Sequence, residues 1–176
     1  MNRRSVIRNM AYISIGAIIL PSCVQNQNRV STALKNLKVT GDQEKMLADL
    51  TQTILPSANG HGAKELQSHL FALMMIDDCS SPEEQKKFLN GLKLFEEVTQ
   101  KRFDTSFAKC SAEQKNQLLK DLEEKKNIPE ETLAFYNTIK RFTVQSYTSS
   151  EDYMVNIARY KMIPGKYKGC VPVNQA

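Results

Sequence analysis

The stretch SPEEQKKFLNGLKLFEEVTQK, residues 81–101, decides the fold class, because it carries the signals of a long amphipathic helix. Ser81 is a suitable N-cap, Pro82 fits the first helical position, and Glu84 stands three residues after the cap, as in a capping box. The apolar side chains that follow recur every three or four residues: Phe88, Leu89, Leu92, Phe95 and Val98. The stretch therefore predicts a helix that packs one face into a core.

Similar patterns on both sides of this stretch predict an all-α fold. Caps, prolines and apolar spacing place helices over residues 42–55, 63–77, 81–101, 111–125, 129–146 and 149–159. The second helix is apolar on nearly all sides, which predicts a central position. Residues 160–176 contain Pro and Gly and predict an extended strap. We expect a single irregular bundle of about six helices with a C-terminal strap.

The first 23 residues, MNRRSVIRNMAYISIGAIILPSC, have the plan of an export signal, with a basic start and then an apolar run. The apolar run is too short for a membrane-spanning helix, which needs roughly 20 residues. Arg3 and Arg4 resemble the pair of a twin-arginine signal, the route for proteins exported already folded. The alternative is an ordinary basic start for the general export route.

Residues 20–23, LPSC, resemble a lipobox, in which Cys23 is lipidated and becomes the new N-terminus. A plain cleaved signal and an uncleaved anchor remain alternatives. The predicted organisation is a signal over 1–22, a lipidated polar tether over 23–41 and a helical domain over 42–176. The expected location is the periplasm or cell envelope, with the protein anchored to a membrane through its lipid.

The charge of the chain gives no indication of a nucleic-acid partner. The formal net charge is +5. Removal of Arg3, Arg4 and Arg8 with the signal leaves 21 basic against 19 acidic side chains, a balance of +2. Nucleic-acid binding calls for Lys and Arg clustered on one face.

Export would place the chain in an oxidising compartment, where disulfides can persist. With Cys23 assigned to a lipid, Cys79, Cys110 and Cys170 remain, which is an odd number. A bridge between Cys79 and Cys110 is awkward to form. Cys79 precedes the third helix and Cys110 precedes the fourth, and the starts of these two helices lie at opposite ends of the expected helical hairpin. A bridge between Cys79 and Cys170 is preferred, and a bridge to another chain stays open.

The sequence carries no recognisable catalytic motif. It contains no Gly-x-Gly-x-x-Gly, no Cys-x-x-Cys and no Gly-x-Ser-x-Gly. The two histidines, His61 and His69, are too few for a histidine-rich metal site. Asp77-Asp78 and Glu83-Glu84 are interpreted as helix-end residues. We therefore predict no catalytic residue, cofactor or metal ligand in this chain.

Several stretches, in order and spacing, resemble the gluconate 2-dehydrogenase subunit 3 family. They are the Arg3-Arg4 start, LADLTQTILPS at 47–57, GAKE at 62–65, FTVQSYTSSE at 142–151 and IPGKYKGC at 163–170. The resemblance covers roughly residues 43–173. This family comprises small subunits of membrane-associated, flavin-dependent sugar and sugar-acid dehydrogenases.

The resemblance implies an accessory subunit that is not itself an enzyme. In such complexes FAD lies in a large flavoprotein subunit, and electrons leave through a cytochrome c subunit. The small subunit has no cofactor, packs on the large one, and carries the folded partner across the membrane through its own signal. The alternative is a stand-alone envelope lipoprotein that acts as a scaffold or binding module.

Overall fold

The computed structural model describes residues 30–58, 60–126, 128–163, 165 and 169–170. Within them the chain is helical and contains no strand. The helices are α1 (Gly41–Ile54), α2 (Ser68–Cys79), α3 (Pro82–Phe103), a 3₁₀ turn (Phe107–Lys109), α4 (Ala112–Glu123), α5 (Glu130–Thr148) and a short π-helical turn (Tyr153–Ile157). The predicted all-α bundle is confirmed, and the π-helical turn lies where the sixth helix was expected.

Three helices begin at complete capping boxes. Ser81 and Ser111 cap α3 and α4, as predicted. Thr40 caps α1 through the backbone N–H of Gln43, so the helix begins just before the predicted cap, Asp42. In each box the cap side chain and the third helical residue satisfy backbone N–H groups that have no partner inside the helix.

Helix α2 begins later than its apolar pattern predicts. The chain turns through residues 63–67, and Gln67 adopts the left-handed conformation, with φ of 49°. The backbone N–H of Ala63 donates to the carbonyl of Leu55 at 3.1 Å, which ties this turn to the end of α1. A left-handed residue cannot continue a right-handed helix, so the regular turns start at Ser68.

The centre of the bundle is α5, which makes its largest contact with α3. Gly91 of α3 is buried against α5, where a Cβ atom would lie 2.6 Å from both the Glu131 carbonyl oxygen and the Phe135 Cβ. The rings of Phe88 and Phe95 lie 5.2 and 5.5 Å from the ring of Phe135. Helix α5 also packs on α2 and α1. The prediction that α2 is central is therefore wrong; α2 exposes Met74 on one side.

Helix α4 lies at the edge of the bundle, as its few apolar residues predict. Leu118 and Leu122 are buried, and the Tyr136 hydroxyl of α5 donates to Oε1 of Glu123 at 3.0 Å. Burial and this hydrogen bond raise the pKa of Tyr136 far above its usual value. The phenol thus stays protonated and joins α4 to α5. In the described part of the chain, no helix has the length and apolar character to cross a bilayer.

Candidate interaction surfaces

The predicted export and lipidation residues, Arg3, Arg4 and Cys23, lie outside the described residues. The description starts at Val30, inside the predicted tether. From there to Thr40 the chain lies against the bundle, with Leu37 and Val39 buried and Val30 and Leu34 partly buried. We call residues 30–40 the N-terminal segment.

The carboxylate of Asp77, near the end of α2, holds the middle of the N-terminal segment. Its Oδ1 accepts the backbone N–H groups of Asn36 and Leu37 at 2.8 and 2.7 Å, and its Oδ2 accepts that of Lys35 at 2.7 Å. The Asn36 side chain donates to the Asp77 carbonyl at 3.0 Å. Burial raises the pKa of Asp77, but the three backbone hydrogen bonds outweigh it and leave the pKa below its usual value.

A second carboxylate, Glu44 of α1, holds the start of the same segment. Its Oε2 accepts the backbone N–H of Ser31 at 2.6 Å. Its Oε1 lies 3.9 Å from Nε2 of His69 on α2. Glu44 is buried, so this contact joins the N-terminal segment, α1 and α2 around one acidic group.

The two histidines contact different carboxylates and do not form one site. Burial lowers the pKa of His69 more than the Glu44 charge raises it, and its Nδ1 is buried without a hydrogen-bond partner. His61 instead faces Asp152, with Nδ1 and Oδ2 3.6 Å apart. Across the described ranges no group of three His, Cys, Asp or Glu side chains is placed to hold a metal ion.

Two surface clefts lie between the described helices. The larger, of about 670 Å³, lies between α1, the end of α3 and the 3₁₀ turn, with Met46 and Phe107 in its wall. The second, of about 410 Å³, lies between α3 and α5 and has Lys87, Arg141 and Glu131 at its rim. Both walls contain carboxylates, and neither contains a histidine or a cysteine.

Exposed apolar side chains concentrate near the C-terminus, in residues 155–163, which we call the C-terminal segment. Five of the seven large hydrophobic side chains exposed in the described chain lie there, and they are 53 to 86 % exposed: Val155, Ile157, Tyr160, Met162 and Ile163. Every residue of the segment is exposed. The sequence pattern predicted the end of the sixth helix and the beginning of the strap here, but it did not identify these side chains as a surface.

The three described cysteines carry free thiols. Cys79 and Cys170 are exposed, whereas Cys110 is buried, and burial raises the pKa of its thiol. The predicted bridge between Cys79 and Cys170 is not formed in the structure, and the pairing stays a prediction.

Comparison with known proteins identifies the family of this helical body. No curated protein and no solved structure matches the chain. The model of the family described as Gluconate 2-dehydrogenase subunit 3 matches residues 41–165, from the first residue of α1 to beyond the C-terminal segment. This match covers more than half of the 176 residues. The chain therefore belongs to the gluconate 2-dehydrogenase subunit 3 family.

Proposed function

We propose that this chain is a non-catalytic small subunit that escorts and stabilises an exported, flavin-dependent sugar or sugar-acid dehydrogenase at the membrane. The observation that carries the proposal is the family match over residues 41–165. In this proposal FAD belongs to the large partner subunit, and a cytochrome c subunit accepts the electrons.

The location follows from the N-terminal sequence rather than from the helical body. Arg3 and Arg4 would direct the folded chain, with its partner bound, through the twin-arginine route. A lipid on Cys23 would then hold the complex at the membrane. The lipobox-like stretch also favours a second candidate function, a stand-alone envelope lipoprotein that acts as a scaffold.

Affinity purification of the tagged full chain from detergent-solubilised membranes distinguishes the two functions. We expect a flavoprotein in comparable amounts, with a flavin absorbance spectrum and oxidation of sugars or sugar acids by the complex. The chain purified alone should be colourless and inactive. Recovery of the chain without a flavoprotein would favour the scaffold, and turnover by the isolated chain would contradict both candidates.

A charge-conserving change of the signal tests the escort role in the same cells. Replacing Arg3 and Arg4 by lysine preserves the basic start that the general route requires but removes the arginine pair. We expect the flavoprotein to remain in the cytoplasm together with the altered chain. Normal export of both proteins would contradict the twin-arginine escort.

A further inference from the structure

We propose that the C-terminal segment, residues 155–163, is the surface that docks onto the flavoprotein, and that it contacts an apolar face bordered by carboxylates. The inference rests on the proposed function and adds which part of this chain makes the contact. It also adds the chemistry of the partner face. Three observations carry it: the exposure of the segment, its base on the bundle and its charge.

The segment exposes apolar side chains that take no part in the packing of the bundle. The π-helical turn contributes no buried side chain, and Met162 and Ile163 are 84 and 86 % exposed. Burying apolar side chains of this size against a partner is favourable. The family match nevertheless runs to residue 165 and includes the whole segment. The matched unit thus ends in a stretch that adds little to the packing of the bundle.

The segment starts from a fixed base on α5. The ring of Tyr153 lies 5.3 Å from the ring of Tyr147, edge to face. The N–H groups of Ala158 and Tyr160 close the turn by donating to the carbonyls of Tyr153 and Met154, at 2.8 and 2.7 Å. A fixed base lowers the entropy that is lost when the segment binds a partner.

The basic residues at this end of the chain indicate the charge of the partner surface. From Tyr153 to the C-terminus the sequence contains four Lys and Arg residues and no Asp or Glu. Two of these basic residues, Arg159 and Lys161, are exposed on either side of Tyr160. The acidic residue just before the stretch, Asp152, is engaged with His61 and with the Asn156 amide. A complementary face therefore carries carboxylates beside apolar side chains.

Basic and apolar residues together would also suit an anionic membrane, but the backbone favours a protein. Beyond Ile157 the described segment is not helical. Chain segments that bind a membrane surface are typically amphipathic helices, whereas an extended segment can pack on a protein surface. We therefore assign the segment to the protein partner.

Purification of the full chain with the flavoprotein tests the assignment. We expect Met162→Asp with Ile163→Asp to lower the amount of flavoprotein recovered per chain at least tenfold. Arg159→Glu with Lys161→Glu should lower it severalfold. Val144→Asp, which alters an exposed apolar residue of α5 outside the segment, is the matched control and should recover the flavoprotein normally. Because the replaced side chains are exposed, all variants should melt within a few degrees of the wild type, by circular dichroism.

The outcomes separate the inference from the proposed function. Normal recovery by both segment variants would overturn the inference alone. If the wild-type chain recovers no flavoprotein, both fail. A further experiment measures binding to phosphatidylglycerol–phosphatidylcholine vesicles. It uses chains that carry Cys23→Ala, so that no lipid attached to the protein contributes to the binding. If Met162→Asp with Ile163→Asp abolishes vesicle binding but preserves flavoprotein recovery, the segment binds membrane and the inference is overturned.

Discussion

At the scale of single residues, Asp77 joins two parts of the chain that are about 40 residues apart. A carboxylate offers about four lone-pair positions, and Asp77 uses three of them for consecutive backbone N–H groups. Hydrogen bonds to a charged acceptor are stronger than neutral ones, which offsets the cost of placing the charge in a buried position. The N-terminal segment is thereby fixed by its backbone as well as by the burial of Leu37 and Val39.

The first prediction concerns Asp77→Asn at neutral pH. The amide retains one acceptor oxygen but presents an NH₂ group to backbone donors, so at least one N–H loses its partner. We expect the free energy of unfolding to fall by roughly 2 kcal/mol, measured by urea unfolding. Asp78→Asn is the matched control; its exposed ion pair with Lys35, at 3.1 Å, should contribute less than about 1 kcal/mol.

The pH dependence of this difference follows from the lowered pKa of Asp77. The folded chain binds the proton of this carboxyl less readily than the unfolded chain does. The stabilisation is therefore fully present above the ordinary pKa of 3.8 and is lost as the pH falls through the lower, folded value. The gap between wild type and Asp77→Asn should shrink below that range. A gap that is independent of pH would contradict the assignment.

The sequence allowed Asp77 to be predicted as a helix-end residue, but it did not indicate which groups donate hydrogen bonds to it. A carboxylate in the last turn of a helix lies at the negative end of the helix dipole, which is unfavourable. That position was a signal that the charge is satisfied elsewhere. The partners could not be inferred, because backbone N–H groups carry no side-chain identity and lie about 40 residues away.

At the scale of elements, local chemistry determined where most helices begin. The boxes at Ser81 and Ser111 act within four residues, so the sequence alone placed α3 and α4 closely. The start of α2 was missed because it depends on the left-handed conformation of Gln67, which apolar periodicity does not report. The central position of α5 was missed because it follows from packing between elements rather than from the polarity of one helix.

The second prediction concerns the contact between α3 and α5 at Gly91. Gly91→Ala would place a Cβ atom 2.6 Å from the Glu131 carbonyl oxygen, and a backbone atom cannot move aside as a flexible side chain can. We expect a loss of about 2 kcal/mol in unfolding free energy, although alanine favours helices. Asn90→Ala, at the exposed neighbouring position, should leave stability unchanged or raise it slightly. If Gly91→Ala and Asn90→Ala changed the free energy of unfolding in urea equally, the close contact at Gly91 would be contradicted.

At the scale of the whole molecule, the sequence predicted the fold class and the family but not the surface. The proposed export and lipid signals are linear motifs, so predicting them requires no structure. The C-terminal segment can be recognised as a surface only once the bundle shows which apolar side chains remain uncovered. Val144 and Phe142 look alike in the sequence, yet one is exposed and the other buried.

The third prediction concerns the membrane attachment of the whole protein. Cys23→Ala removes the proposed lipid, so we expect the protein to move from the membrane to the soluble fraction in cell fractionation. Cys170→Ala removes an exposed cysteine elsewhere and should not change the fraction. Continued membrane retention of Cys23→Ala would mean that the partner or an uncleaved signal holds the protein.

If Cys23 carries the proposed lipid, the docking of the N-terminal segment limits how far the body can move from the membrane. Only seven peptide units separate Cys23 from Val30, where the chain already rests on the bundle. Even a fully extended chain of that length reaches at most about 25 Å. A bilayer leaflet and the helical body would then be near neighbours at all times. An enzyme bound to this body would work within one protein diameter of the headgroups, close to any electron acceptor dissolved in the lipid.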